Sequence, residues 1–438
     1  MFHVEHGSGP ATSRCSDVPR GTSGQGQETF HVERLRTPGW IRDITALSVR
    51  DLSAILRTEL DALRAADRLR SLPELAGHSR QRPDGASGPL LSFASNDYLG
   101  LASHPALLTA AAEAAAREGF GAGAARLVTG DLPSHRALER ELAAYLCRPT
   151  ALLFPTGYQA NLGVLSALAG PQDLIVSDAL NHASLIDGCR LSRATVAIYA
   201  HADADAAIAG LTRPGSFRRR FLVTESLFSM DGDLAPLSPL AQAAKLHDAV
   251  FVVDEAHALG VLGPTGRGLC AELGVEPDVL IGTLGKAFGS AGGFVTGSAA
   301  LREYLINRAR TFVFTTSAPP PVAAAALAGI QLAAGPEGEL RRARLTSNRR
   351  RLLAAIEPLA PLAELSSAGP IPIIPLILGA DARALAAARI LRTQGVFVPA
   401  IRPPTVPEGT ARLRLTLSSE HSDADIDTVA AALMEALA

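Results

Sequence analysis

The stretch Ala249–Thr296, AVFVVDEAHALGVLGPTGRGLCAELGVEPDVLIGTLGKAFGSAGGFVT, decides how the chain folds. It holds two short apolar runs, Val250–Val253 and Val279–Gly282. Both are rich in β-branched residues, end abruptly at polar ones and are too short for a core helix. They are expected to form buried strands of a parallel sheet. Asp254 and His257 follow the first run, and Lys286 follows the second. In an open α/β sheet the ligand sits outside the carboxyl ends of the strands, so these three groups should converge there. A buried acid beside a histidine, with a lysine among Thr283, Gly285 and Gly289, suits pyridoxal phosphate. That cofactor needs an amine for its Schiff base and an acid to keep its pyridine nitrogen protonated. From this stretch alone, a buried Asp–Lys ion pair accounts for the residues equally well.

The 438-residue chain is long enough for two or three domains around a substantial core. Charged residues make up 19% and apolar ones 47%, a globular composition. A formal charge of -2 predicts neither nucleic-acid nor membrane-surface binding. The densest basic runs, Arg218–Arg220 and Arg349–Arg351, are short and read as solvated faces. Cys15, Cys147, Cys189 and Cys270 lie far apart without zinc-ligand spacing, so no metal site is expected. Free thiols, no apolar signal core and no membrane-length apolar run together predict a cytoplasmic protein.

Residues 1–48 are rich in Gly, Ser, Thr and Pro and echo FHVE at Phe2–Glu5 and Phe30–Glu33. They read as a disordered extension. An N-terminal segment over 49–95 begins with a helix whose Leu52, Ile55, Leu56, Leu60 and Leu63 share one face. From Ala151 to Val295 short apolar strands alternate with helical segments: ALLF, DLIVSD, TVAIYA, RFLVTES, VFVVDEA, VLIGT and GFVTG. That alternation predicts an α/β fold with a mostly parallel sheet, assigned here to a large domain over 96–335. Residues 336–438 read as a smaller α+β domain, with strands at Ile371–Leu378, Phe397–Pro399 and Ala411–Thr416.

Several predicted strand exits carry polar groups. Pro155–Gly157 makes a tight turn into a helix whose first N–H groups suit a phosphate. His182 follows another strand, and Ser229 lies just past a third. Each has a bland reading as an ordinary turn or a packed side chain. Their agreement at one sheet edge favours a cofactor site. Competing motifs fail. GFGAGA at Gly119 follows a helix rather than a strand, Gly285-Lys286 lacks the rest of a P-loop, and no GxSxG elbow exists.

SNDYLGL, TGYQAN, NHASL, TESLFSMDGD, DEAHALGVLGPTGRG, TLGKAFG and IRPPTVPEGTARLRLTL, in this order and spacing, resemble the α-oxoamine synthases. The similarity runs from about Leu52 to the C-terminus. These are fold-type I, pyridoxal-phosphate-dependent acyltransferases that act as homodimers. The resemblance implies that Lys286 forms the Schiff base and that Asp254 partners the pyridine nitrogen. It also implies that His257 bonds the phenolic oxygen and His182 stacks on the ring. Gly157 and Tyr158 would meet the cofactor through their backbone, and Ser229 and Thr283 through their side chains. Thr316 would reach the phosphate of the other subunit's site. Arg402 would hold the amino-acid carboxylate, with Thr405 near the substrate, Arg70 at the acyl donor and Asn96 on the dimer and substrate side.

Within the family, the IRPPTVPEGTARLRLTL and DALRAADRLR segments resemble members that join L-alanine to a pimeloyl thioester, carried by coenzyme A or an acyl carrier protein. Glycine-using members would share every cofactor residue. A fold-type I aminotransferase would transfer nitrogen and release no carbon dioxide. The chain departs from the family at Ala124-Ala125, where Gly-Ser is usual, and has Tyr158 where Phe is also common.

Overall fold

In the computed structural model, residues 51–72, 90–363 and 370–437 are described. The predicted extension over 1–48 lies outside them. Among the described residues, those up to Leu60 and those from Asp61 onward belong to two separate units. The first contributes the start of the expected helix, Leu52–Ala65.

Among the described residues, the second unit holds twelve strands: β1 (Leu91–Ser92), β2 (Thr150–Phe154), β3 (Leu174–Asp178), β4 (Thr195–Tyr199), β5 (Arg220–Glu225), β6 (Ala249–Asp254), β7 (Val279–Thr283), β8 (Gly293–Gly297), β9 (Ile373–Gly379), β10 (Val396–Phe397), β11 (Ala400–Ile401) and β12 (Ala411–Thr416). Seven make one sheet, in the order β2-β8-β7-β6-β5-β3-β4. All its strands run parallel except β8, which is antiparallel to both neighbours. The predicted α/β class holds. Alternate side chains explain the layering: Phe221, Val223, Val252 and Ile281 enter the core on one face, while Leu222, Phe251, Val253 and Leu280 enter the other. Strands covered on both faces need the continuous apolar runs that the sequence supplies.

Helices Gly157–Leu168 and Ala183–Ser192 follow β2 and β3. Gly293, which opens β8, faces the first of these so closely that a Cβ there would lie 2.5 Å from the Gly157 Cα. The start of that helix is therefore pressed onto the sheet.

A second sheet, β11-β12-β9, is antiparallel, and β1 pairs with β10. Here two expectations need correction. The strand predicted over Phe397–Pro399 is two short pieces, because Pro399 has no N–H to continue a ladder. Arg349 is not part of a solvated face: it is 4% exposed, and its guanidinium donates to the carbonyls of Ile371 (2.8 Å) and Ile373 (3.1 Å). Among the described residues, no helix is long and apolar enough to cross a membrane.

Candidate active site

Asp254, the last residue of β6, is buried because its strand lies mid-sheet. One carboxylate oxygen accepts from the Asn161 amide at 2.8 Å, the other from the Ala256 N–H at 2.8 Å. Asn161 also donates to the Ser184 hydroxyl at 2.8 Å, which meets His182 Nδ1 at 2.7 Å. One polar chain therefore joins Asp254, Asn161, Ser184 and His182. His182 caps the helix Ala183–Ser192, at the same sheet edge. Loss of water around the ring holds its pKa below the ordinary range, against the pull of Asp254.

Lys286 Nζ lies 2.7 Å from His257 Nε2, and His257 Nδ1 lies 2.6 Å from the Tyr98 hydroxyl. Tyr98 also reaches Asn96 Oδ1 at 3.2 Å. The donors run one way: the lysine donates to Nε2, Nδ1–H donates to the Tyr98 oxygen, and the phenol donates to Asn96. Burial raises the Tyr98 pKa to about 12, so the phenol keeps its proton. Burial and the Lys286 charge hold His257 well below its usual range, and the ring is neutral. Burial also lowers Lys286 to about 8, overcoming the attraction of Asp254 and Glu225.

The remaining expected residues fall at several places. Gly157 begins a helix capped by Thr156, and its Cα faces Thr283, whose hydroxyl donates to the Gly292 carbonyl at 3.0 Å. Tyr158 is exposed and its phenol donates to Asp187. Asn96 accepts from Arg414 at 3.3 Å, and Arg414 Nε donates to the Ser229 carbonyl at 2.6 Å, so both join the Tyr98–His257 side. Arg70, Arg402 and Thr405 lie together: Arg70 donates to the Pro403 carbonyl at 3.1 Å and reaches the Thr405 hydroxyl at 3.5 Å. Arg402 donates to the carbonyls of Asp67 and Leu69. Thr316 is exposed beside Thr315, which accepts from the Gln159 amide at 3.4 Å.

Reading the residues alone assigned no role to Tyr98, Asn161, Glu225 or Arg414. All four sit inside quoted motifs, and Arg414 alternates with Leu413 and Leu415 in the fully buried strand β12. A buried arginine must be bonded, which was the available signal.

The arrangement fits pyridoxal phosphate. A buried carboxylate and an amine of lowered pKa share one sheet edge. The N–H groups of Gly157 and Tyr158 lack intrahelical acceptors and suit an anion beside the Thr283 hydroxyl. Buried polar atoms without partners, Asn161 Oδ1 and Arg402 Nε, remain available to a bound molecule.

The aminotransferase class I and II family profile matches residues 89–433. The 8-amino-7-oxononanoate synthase of Anaeromyxobacter dehalogenans is 50% identical over 382 residues, covering 86% of this chain and 94% of that protein. Serine palmitoyltransferase from S. paucimobilis, solved with a bound pyridoxal phosphate–myriocin adduct, superposes with a TM-score of 0.81 at 30% identity, covering 88% of this chain and 98% of that one. The 8-amino-7-oxononanoate synthase of Francisella tularensis superposes with a TM-score of 0.68 at 29% identity, covering 80% and 98%. The chain belongs to the aminotransferase class I and II family and, within it, to the pyridoxal-phosphate-dependent α-oxoamine synthases of fold type I.

Proposed function

We propose that the chain condenses L-alanine with a pimeloyl thioester to give 8-amino-7-oxononanoate, a step of biotin synthesis. The observation that carries this is the Lys286–His257–Asp254 cluster, in a chain half-identical to synthases of that name. The net reaction joins the alanine α-carbon to the thioester carbonyl carbon. The thiol leaves, and the alanine carboxylate departs as carbon dioxide. Bound pyridoxal phosphate supplies an electron sink conjugated to the α-carbon.

The side chains do the rest. Lys286 holds the cofactor, then takes the α-proton as a neutral amine and returns a proton to the same carbon, which its lowered pKa favours. Asp254, fixed by Asn161 and Ala256, keeps the pyridine nitrogen protonated. His257 bonds the phenolic oxygen, and His182 covers the ring face. Gly157, Tyr158, Ser229 and Thr283 hold the cofactor. Arg402 exchanges the Asp67 and Leu69 carbonyls for the substrate carboxylate, while Thr405 and Asn96 flank the substrate and Arg70 meets the acyl donor. In a homodimer, Thr316 reaches the phosphate of the partner's site. Residues 96–335 serve as the cofactor-binding domain and 336–438 as the smaller one.

The test is thiol release from pimeloyl-CoA with L-alanine or glycine. Release with alanine alone supports the reading. Release with glycine alone moves the activity to a glycine-using member. Release with neither calls for the pimeloyl acyl-carrier-protein thioester, and silence with that too rejects the proposal.

A further inference from the structure

One half-buried polar array lies outside the groups used above. Asp178 ends β3, and its side chain is 0% exposed. Its Oδ1 accepts from the Leu180 N–H at 2.8 Å and faces His201 Nδ1 at 2.8 Å, while Oδ2 accepts from the Ala202 N–H at 2.9 Å. His201 Nε2 lies 2.7 Å from Asp233 Oδ2. A ring with a carboxylate at each nitrogen donates from both, which only the imidazolium can do. Burial opposes that charge, but the bonds to Asp178 and Asp233 outweigh it and raise the ring's pKa to about 10. The same ring meets Phe228 edge-on, centroid to centroid 4.4 Å.

Asp233 and Phe228 belong to the loop 226–235. The loop is closed on itself: the Phe228 N–H donates to the Asp233 carbonyl and the Gly232 N–H to the Phe228 carbonyl, both at 3.0 Å. Gly232 has φ +67°, and a Cβ there would lie 2.8 Å from the Ile373 carbonyl oxygen, so the tip is pressed against β9. From β12, Arg412 pairs with Asp231 and Arg414 holds the Ser229 carbonyl. His201 is thus the third cation on one short loop, and the one that does not come from β12. Between these grips, Phe228 lines a cavity of about 490 Å³ together with Leu180, His182, Ile186, Thr405 and Val406. Ala183, Met230 and Pro404 add to its apolar wall, and Asn181, Ser229 and Asp231 add polar groups.

We propose that Asp178–His201–Asp233 is a positioning array that holds Phe228 against this cavity, and that the cavity takes the aliphatic chain of the acyl thioester. The second half rests on the condensing activity proposed above; the first does not. His201 acts through Phe228 and touches no reacting atom.

Two variants and two readouts test it. His201→Phe removes both bonds and keeps a ring; Asp233→Asn keeps the shape and removes one charge. In the protein without cofactor, amide exchange at Phe228 and Gly232 is expected to rise at least tenfold in His201→Phe, with exchange in Val250–Asp254 unchanged. In the holoenzyme, the KM for pimeloyl-CoA is expected to rise at least tenfold in His201→Phe and severalfold in Asp233→Asn. The L-alanine concentration that half-saturates the change in cofactor absorbance should stay within twofold. Unchanged exchange in the loop, or exchange raised equally in Val250–Asp254, overturns the array. Loop exchange that rises while the KM holds in both variants overturns the acyl-chain assignment. A wild-type protein that releases no thiol from any acyl thioester, with loop exchange behaving as stated, overturns the activity and leaves the array standing.

Discussion

Glu225 and Asp254 end neighbouring parallel strands directly opposite one another, two buried carboxyl groups side by side at the sheet edge. Burial raises the Glu225 pKa well above the carboxylate range, and the Asp254 charge raises it further. Of the two acids Glu225 is therefore the one that holds a proton more readily, and its Oε1 accepts the His182 N–H at 2.5 Å. Neutralising one acid leaves the other free to serve the pyridine nitrogen.

The two acids should then differ sharply on amide substitution. Glu225→Gln, which matches a protonated carboxyl in charge and shape, is expected to keep kcat within about threefold. Asp254→Asn is expected to lower kcat by about 10²–10³-fold or more, the scale for losing one fixed electrostatic partner. Steady-state thiol release measures both, and equal damage from the two variants would contradict the division of roles.

Lys286 should react as an amine at lower pH than lysine normally does. Its ammonium loses its proton near pH 8, because burial outweighs the nearby acids. Acylation of the cofactor-free protein, followed peptide by peptide, is expected to be half-maximal near pH 8 at Lys286, rising with pH. A midpoint near the ordinary lysine value of about 10.4 would show that the amine is not held in its neutral form.

Tyr98 should matter without touching the cofactor. Its hydroxyl is the partner of His257 Nδ1, and Tyr98→Phe leaves that buried nitrogen unsatisfied. The cost of about 1–3 kcal/mol predicts a roughly tenfold to hundredfold loss in kcat with the fold retained. Near-ultraviolet circular dichroism checks the fold, and unchanged turnover would remove Tyr98 from the relay.

Much of this was legible in the residues. The runs around Phe221, Val252 and Ile281 had the composition of two-sided strands, and every strand read between Ala151 and Val295 is present. Lys286, Asp254, His257 and His182 meet because strand exits share an edge, which is a topological rule rather than a detail of packing. Other features depend on distant pairings that no local pattern encodes. Arg349 looked like one of a solvated run, yet its partners are carbonyls more than twenty residues away. His201 reads as a loop residue until β3 and the 226–235 loop bring acids to both of its nitrogens.

The sequence contains two lysines, Lys245 and Lys286. Lys245 is exposed in the last turn of the helix Leu237–Leu246, which leads into the start of β6, the end opposite to the strand exits. Borohydride reduction of the protein with pyridoxal phosphate, followed by peptide mass mapping, therefore has one decisive reading. The account predicts a stoichiometric pyridoxyl adduct on the peptide holding Lys286, lost in Lys286→Ala together with the visible absorbance. An adduct confined to Lys245, or undiminished in Lys286→Ala, would contradict it.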